Sequence, residues 1–437
     1  MTSRLSRPPN EGDQAALATL RAHGYHVPDI QSLAHDQRAF AVRAPARRRT
    51  LAPGIRLQTA SVDLGGDCFT NVFTLRADLD LARAEVVSAA DGFHLRDHVG
   101  ADAALAAVSG SFSFISDDPS YQPAEPCLDF CCRAGEIVSL PTAAKPAFLV
   151  HRGQPLIDTL NATGTLSLQG QPHRWIGSKT PRPGDRHRPG AFTVFGAANC
   201  RVRYRDHPRT GFIRHVQPTS NITPLDPSVI DGVVSWRPGA GHRVTSVHPG
   251  GGADLFAGNF VLRAECTWAG HLEPGARVEI NEIDGLDVRH MECGVSLGPS
   301  VADAARGLTT SYDECLGASP FRDARYARTL IALHGPDLVH LVLDGAPLSY
   351  PFRGVTPREA AAICTAEGLD PHSTYHLDGG GSSKIAFLEE GTTRVLGSMH
   401  YLKWPSSPDE PFRWQGLDGR VLRSGFTVKP SRPEGET

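Results

Sequence analysis

The chain has 437 residues, 40% of them apolar and 21% charged, with 44 glycines and 34 prolines. That composition excludes a low-complexity polymer and leaves room for two average domains or one large enzyme domain with additions. A net charge of −3 gives no case for general nucleic-acid binding, and no apolar run approaches the roughly 20 residues a membrane helix needs.

In chain order, residues 1–10 lack the apolar core of a secretion signal, so the expected location is cytoplasmic. Residues 13–23 (DQAALATLRAH) have helical periodicity and stop at Gly24. The basic run at 43–49 (RAPARRR) reads as a solvated linker, with phosphate binding as the alternative. From 54 to 87 apolar and polar residues alternate as in strands, with Gly65-Gly66 as a turn. Residues 96–107 form a helix or loop feeding a strand that ends Ser109-Gly110-Ser111-Phe112.

Residues 114–200 read as loop-rich. Their basic stretch at 181–190 is either a surface excursion or a loop over the site. Strands are expected at 191–203, 260–264 and 276–282, the last two separated by the turn Glu273-Pro274-Gly275. Pro249-Gly250-Gly251-Gly252-Ala253 reads as a turn, and Ser300 caps a short helix that stops at Gly307. A tail after about 427 is expected to be disordered. The nine cysteines are odd in number and sparse, which argues against a disulfide scaffold. Cys127, Cys131 and Cys132 have no matching second cluster, so buried or loop thiols are preferred to zinc there.

The richest stretch is residues 328–388. Residues 328–333 and 338–343 read as a hairpin about His334-Gly335-Pro336-Asp337, and the second strand ends at Asp344-Gly345. A helix follows: Thr356 is its N-cap, Pro357 its first residue, Glu359 completes a capping box, and Gly368 stops it. A strand at 373–377 then leads into Asp378-Gly379-Gly380-Gly381-Ser382-Ser383-Lys384, and another strand leaves. Such a strand–helix–strand unit puts Asp344 and Asp378 at one sheet edge. Consecutive glycines allow positive φ and close ligand approach, and their amides can form an anion-binding nest. A hairpin turn with a capping aspartate is the competing reading. The glycine spacing before Lys384 does not fit a Walker A loop.

This order resembles the phosphodiester glycosidase family, the group of the lysosomal uncovering enzyme that removes N-acetylglucosamine from a phosphodiester. The family's strand ending in LDGGGSS is matched without a gap by residues 377–383. Its Arg-Thr strand start corresponds to Arg328-Thr329, its Asp-Gly strand end to Asp344-Gly345, and its helix start to Gly354, Thr356 and Glu359. Weaker similarity reaches back to about residue 80, through 106–112 and through 292–299, where Glu292 begins a glycine-containing approach. Two positions depart from the family pattern. Ser109 stands where it has asparagine, and Ala346 where it has an arginine, with Arg353 as the candidate substitute.

Together these readings predict an α+β fold: a large catalytic domain of mixed sheets with helices over 55–428, a helical extension and basic linker at 1–54, and a disordered tail at 429–437. The expected activity is cleavage of a glycosyl phosphodiester or sugar-phosphate bond in a small metabolite. Transfer, elimination or cyclisation of a nucleotide- or sugar-like intermediate is one alternative, and non-catalytic carbohydrate binding another. Glycoside chemistry uses two carboxyl groups flanking the bond. Asp378 is the first choice, and Asp344, Glu292 and Glu282 compete for the second role. Arg328 is the phosphate clamp or else a structural ion pair. Thr329, Gly379, Gly380, Gly381, Ser382, Ser383, Ser109, Ser111 and Arg353 are the expected substrate contacts. No cofactor or protein metal site is expected, though a divalent ion bridged by phosphate is compatible. The partner is a small anionic sugar- or nucleotide-like substrate, not nucleic acid or membrane.

Overall fold

The computed structural model describes residues 44–65, 68–100, 103–113, 124, 127–179, 191–206, 214–268, 271–308, 327–344, 354–397, 402–403, 413–414 and 421–431. Of these, 57% lie in strands and 11% in helices of any kind. The α+β expectation is therefore overturned: the protein is mostly β, and its described α-helices are Val301–Ala305 and Pro357–Ala366. The mixed sheets are overturned as well, because all but one of the described strand pairings are antiparallel. The physical reason is the length of the apolar segments. Runs of two to twelve residues between turns pair into sheets that pack largely on other sheets, with the helix Pro357–Ala366 covering one further face of the first sheet.

The first sheet has six strands in the order Arg47–Ala52, Ile55–Gly65, Cys68–Asp78, Asp337–Leu343, Arg328–His334 and Thr374–His376. The second has five: Thr392–Gly397, Lys384–Glu389, Ala106–Ser109, Leu422–Pro430 and Ala82–Phe93. They share one apolar core, in which Ile55, Leu57, Leu75 and Val342 of the first meet Val108, Ile385, Phe387 and Val428 of the second. The helix Pro357–Ala366 covers the first sheet's other face, setting Ala360, Ile363 and Cys364 on Leu330, Val339, Leu341 and Leu343.

A third sheet runs Glu136–Ser139, Cys131–Arg133, Met291–Ser296, Lys145–His151 and Gln154–Leu160. Beyond it, seven strands close into a barrel in the order Thr163–Leu168, Gln171–Gly177, Ala191–Phe195, Phe260–Glu265, Val229–Arg237, Gly241–Pro249 and Arg277–Ile283. The last of these pairs back onto the first, so the barrel has no open edge. The parallel pair lies here, between Gln171–Gly177 and Ala191–Phe195. Trp175, Phe192, Leu166, Val234, Phe260 and Leu262 fill a core that continues into the third sheet through Phe130 and Leu149.

Three local expectations change. The basic run contributes its last arginines to the edge strand Arg47–Ala52, where Arg49 pairs with Glu389 at 2.7 Å. The stretch read as loop-rich holds the strands from Cys131–Arg133 to Gln171–Gly177. These are short, and Gln154–Leu160 is half exposed, so their apolar signal is weak. The expected tail begins inside Leu422–Pro430, a nine-residue strand whose Phe426 and Val428 are buried. The helical reading of 13–23 and the basic stretch 181–190 lie outside the described residues. No disulfide joins the cysteines among the described residues, and Cys127, Cys131 and Cys132 are buried thiols.

Candidate functional site

The site is built at one end of the first sheet. Arg328–His334 pairs antiparallel with Asp337–Leu343 on one side and with Thr374–His376 on the other, so the two flanking strands run parallel. Their ends, Asp344 and Asp378, therefore leave the sheet at the same edge. With strands ~4.8 Å apart, the two backbone positions stand about 10 Å from each other. Arg328 sits between them. It is opposite Leu343 in one ladder, and the count from the Leu330–His376 pair sets it opposite position 378 in the other.

The connecting helix fixes this edge from outside. Thr356 accepts from the Glu359 amide at 3.2 Å while Glu359 accepts from the Thr356 amide at 2.8 Å, the reciprocal box expected from the sequence. Just before it, the Val355 carbonyl receives Arg328 Nε at 2.9 Å. Arg328 is thereby tied to the chain entering the helix, and the residue is 8% exposed.

Asp378 is half-buried, and its amide donates to the Gly110 carbonyl at 3.0 Å. Asp344 is buried, and its carboxylate accepts from Asn71 Nδ2 at 3.1 Å. Asn71 in turn accepts from Ser61 Oγ at 2.6 Å. Asn71 was missed in the sequence. The available signal was an asparagine in the middle of an otherwise strand-favouring run, Phe69-Thr70-Asn71-Val72-Phe73.

The loop after Asp378 differs from the expected amide nest. The Gly379 amide bonds Asp378 Oδ1 at 2.8 Å, and the Gly380 amide bonds the Ala327 carbonyl at 2.8 Å. The Ser382 and Ser383 amides close a short 3-10 turn onto Gly379 and Gly380. Most of the loop's donors thus hold the loop itself. Of the three glycines, Gly380 is the one with positive φ, +63°. The side-chain oxygens of Ser382 and Ser383 are buried and lack a hydrogen-bond partner.

The other expected contacts divide. Ser109 is fully buried and shares a 2.9 Å hydrogen bond with Thr329, stitching the first sheet to the second. Ser111 donates to the Ser296 carbonyl at 2.5 Å. These three hydroxyls hold the fold beneath the loop. Glu292 is not brought to the edge. It is exposed and accepts from the Gly153 amide at 2.7 Å, and it lies four strand residues, ~13 Å, before Ser296. Glu282 belongs to the barrel strand Arg277–Ile283. Arg353 and Ala346 lie outside the described residues.

His376 was also missed, although it stands two residues before Asp378. It is 5% exposed, and burial and then the Arg328 charge push its imidazole down to about 3, so it is neutral at neutral pH. Its backbone is held on both sides. It pairs with Arg328–His334 on one edge. On the other its carbonyl accepts from the Gly298 amide at 2.8 Å, and its amide donates to the Pro299 carbonyl at 3.1 Å. Among the described residues no group of three or more His, Cys, Asp or Glu is placed to hold a metal ion. Among them too, no helix is long and apolar enough to cross a membrane.

No family model matches the chain, and no curated protein matches it. Among solved structures it is similar to a hypothetical protein from Synechocystis, with a TM-score of 0.52 and 15% identity over 89% of this chain and 64% of that one. It is also similar to a putative exported protein from Burkholderia pseudomallei, at TM-score 0.47 and 18% identity over 83% and 74% of the two chains. A third is a zebrafish N-acetylglucosamine-1-phosphodiester alpha-N-acetylglucosaminidase catalytic domain auto-inhibited by its pro-peptide. Its TM-score is 0.42, at 10% identity over 89% and 88%. The chain spans under two thirds of the Synechocystis chain, and at 15% identity that likeness is a distant one of fold alone.

Proposed function

We propose that the protein is a hydrolase that cleaves a glycosyl phosphodiester or sugar-phosphate bond in a small metabolite. The observation that carries this reading is the edge row itself. Arg328 stands opposite the position of Asp378, with Asp344 at the end of the neighbouring strand, on three elements of one sheet. Guanidinium matches a phosphate's oxygens with parallel donors, and two carboxyl groups at one edge supply the acid and base that glycoside cleavage needs. In the reaction as proposed, a water oxygen bonds to the anomeric carbon as the carbon–oxygen bond to phosphate breaks. One carboxylate takes the water's proton, and the departing phosphate is stabilised as an anion by Arg328. Asp378, half-buried at the mouth of the loop, is the proposed base; Asp344, held by Asn71, is its partner.

The test is a panel of nucleotide-sugars and glycosyl phosphodiesters read by mass spectrometry, with the unaltered protein beside Asp378→Asn. A free sugar is expected, with a phosphate monoester from a glycosyl phosphodiester or a nucleoside diphosphate from a nucleotide-sugar, and the rate falls by roughly 10²–10⁴ in the variant at an unchanged melting temperature. A rearranged product would replace hydrolysis with transfer, elimination or cyclisation. Binding without turnover would leave a carbohydrate-binding protein.

A further inference from the structure

His376 stands in the same row as the proposed site without having a task in it. Side chains two apart on a strand share a face, and directly paired residues point the same way. His376, its partner Leu330, and Arg328 therefore face the same side of the first sheet, one rung inside position 378. Leu330 packs under the connecting helix, and Arg328 reaches Val355 on that side. The strand bearing His376 is fixed from both edges, and Gly298 lies so close that a Cβ there would stand 3.1 Å from His376 Cβ. The backbone carrying the ring is thereby held in place.

Held there, the imidazole has Nε2 buried and without a hydrogen-bond partner. An apolar residue would fill this place without that penalty, since a buried unpaired polar group is costly. Ser382 Oγ and Ser383 Oγ, also buried and unpartnered, belong to the loop that follows Asp378. A neutral imidazole is a poor partner for an anion beside a guanidinium, which takes that role itself. It is well matched to a neutral group that both donates and accepts, such as a sugar hydroxyl.

We propose that His376 is a specificity-determining residue of the site, hydrogen-bonding a hydroxyl of the glycosyl group while Arg328 holds the attached anion. This rests on the hydrolase reading above and adds to it which residue reads the sugar. The imidazole acts as a fixed neutral hydrogen-bonding group and carries no proton through the reaction.

The test compares two probes in the Asp378→Asn background, which slows turnover by roughly 10²–10⁴. One is methyl α-D-glucopyranosyl phosphate, and the other is dimethyl phosphate, with the same anion and no hydroxyls. His376→Phe should weaken the glycosyl probe about tenfold, the worth of one good hydrogen bond. It should leave dimethyl phosphate within about twofold, and His376→Asn should recover most of the loss. In the protein with its own histidine, ring-¹⁵N NMR should show the His376 Nε2 resonance move with the glycosyl probe and stay still with dimethyl phosphate. That second measurement stands even if His376→Phe does not fold. Equal weakening of both probes, or no ring shift on binding, overturns the role of His376 while leaving the hydrolase reading intact. Failure of the glycosyl probe to bind at all, together with no turnover of the panel, removes the reading and this inference with it.

Discussion

At the scale of single residues, two glycines carry tests of the site's construction. Gly380 adopts φ +63°, so Gly380→Ala forces a Cβ into the left-handed region at a cost of roughly 1 kcal/mol. The loop closes through that residue, so ligand affinity should fall along with stability in a paired melting and binding experiment. Gly298→Ala tests the clamp on His376. Its Cβ would lie 2.7 Å from the Phe112 ring and 3.1 Å from His376, and overpacking of this kind costs about 1–3 kcal/mol. Urea unfolding should show a lowered midpoint at unchanged slope; an unchanged midpoint would mean that the strand shifts freely and the clamp is not rigid. Residues of this kind divide sharply in how far they could be read in advance. Asp378 and Arg328 stand in a motif. Asn71 and His376 acquire their roles from partners 273 residues away along the chain or from a neighbouring charge, and no local pattern announces either.

At the scale of elements, the first sheet contains an acid-sensitive seam. His340, in the strand Asp337–Leu343, is wholly buried with both ring nitrogens unpartnered, its ring 5.0 Å from that of Phe426 on the second sheet. Burial alone pushes it down to about 3. His376 is likewise near 3 and barrel residue His242 near 4. Above about pH 6.5 these rings are neutral folded or unfolded, and they contribute nothing to the pH dependence. As pH falls from there toward 3–4, the unfolded chain takes up protons that the native state refuses. Each histidine then removes about 1.4 kcal/mol per pH unit. Denaturation followed from pH 7 to 4 should show a steep loss, and His340→Leu should make it shallower by about one histidine's share. An unchanged slope in that variant would show that His340 is hydrated or paired in solution. The connecting helix offers a milder test. Thr356→Ala breaks the reciprocal cap seen with Glu359 and should cost about 1 kcal/mol by thermal melting.

At the scale of the whole molecule, the barrel shares a core with the third sheet through Phe130, Leu149 and Trp175, and the third sheet meets the site-bearing first sheet in a separate cluster, where Phe148 and Val295 join Ile331, Leu338 and Leu377. The barrel is also locked by a buried ion pair, Arg263 Nε and Nη2 to Asp231 at 2.7 and 2.9 Å, with Thr223 donating to the same carboxylate. Removing one partner, as in Arg263→Met, leaves an uncompensated buried charge at a cost of about 3–5 kcal/mol. The melting temperature should fall by several degrees, while any activity found in the panel should persist well below the transition, because none of these groups lies at the sheet edge.

What the sequence determined by itself was local. The hairpin at 328–343, the capped helix, the glycine turn after Asp378 and the end of the sheet to which Asp344 and Asp378 run are all present. Each follows from periodicity, caps and turn residues acting within a few dozen positions. The tertiary structure decided the rest. Short, half-exposed strands such as Gln154–Leu160 carry too little apolar contrast to announce themselves, so the barrel and third sheet could not be read, and helices were expected where sheets cover sheets. The sequence leaves the amides of the glycine loop open either to a ligand or to a turn, and only folding brings the Ala327 carbonyl to accept from Gly380. Long-range pairing determines which donors remain free and which strands meet, and a linear pattern does not contain it.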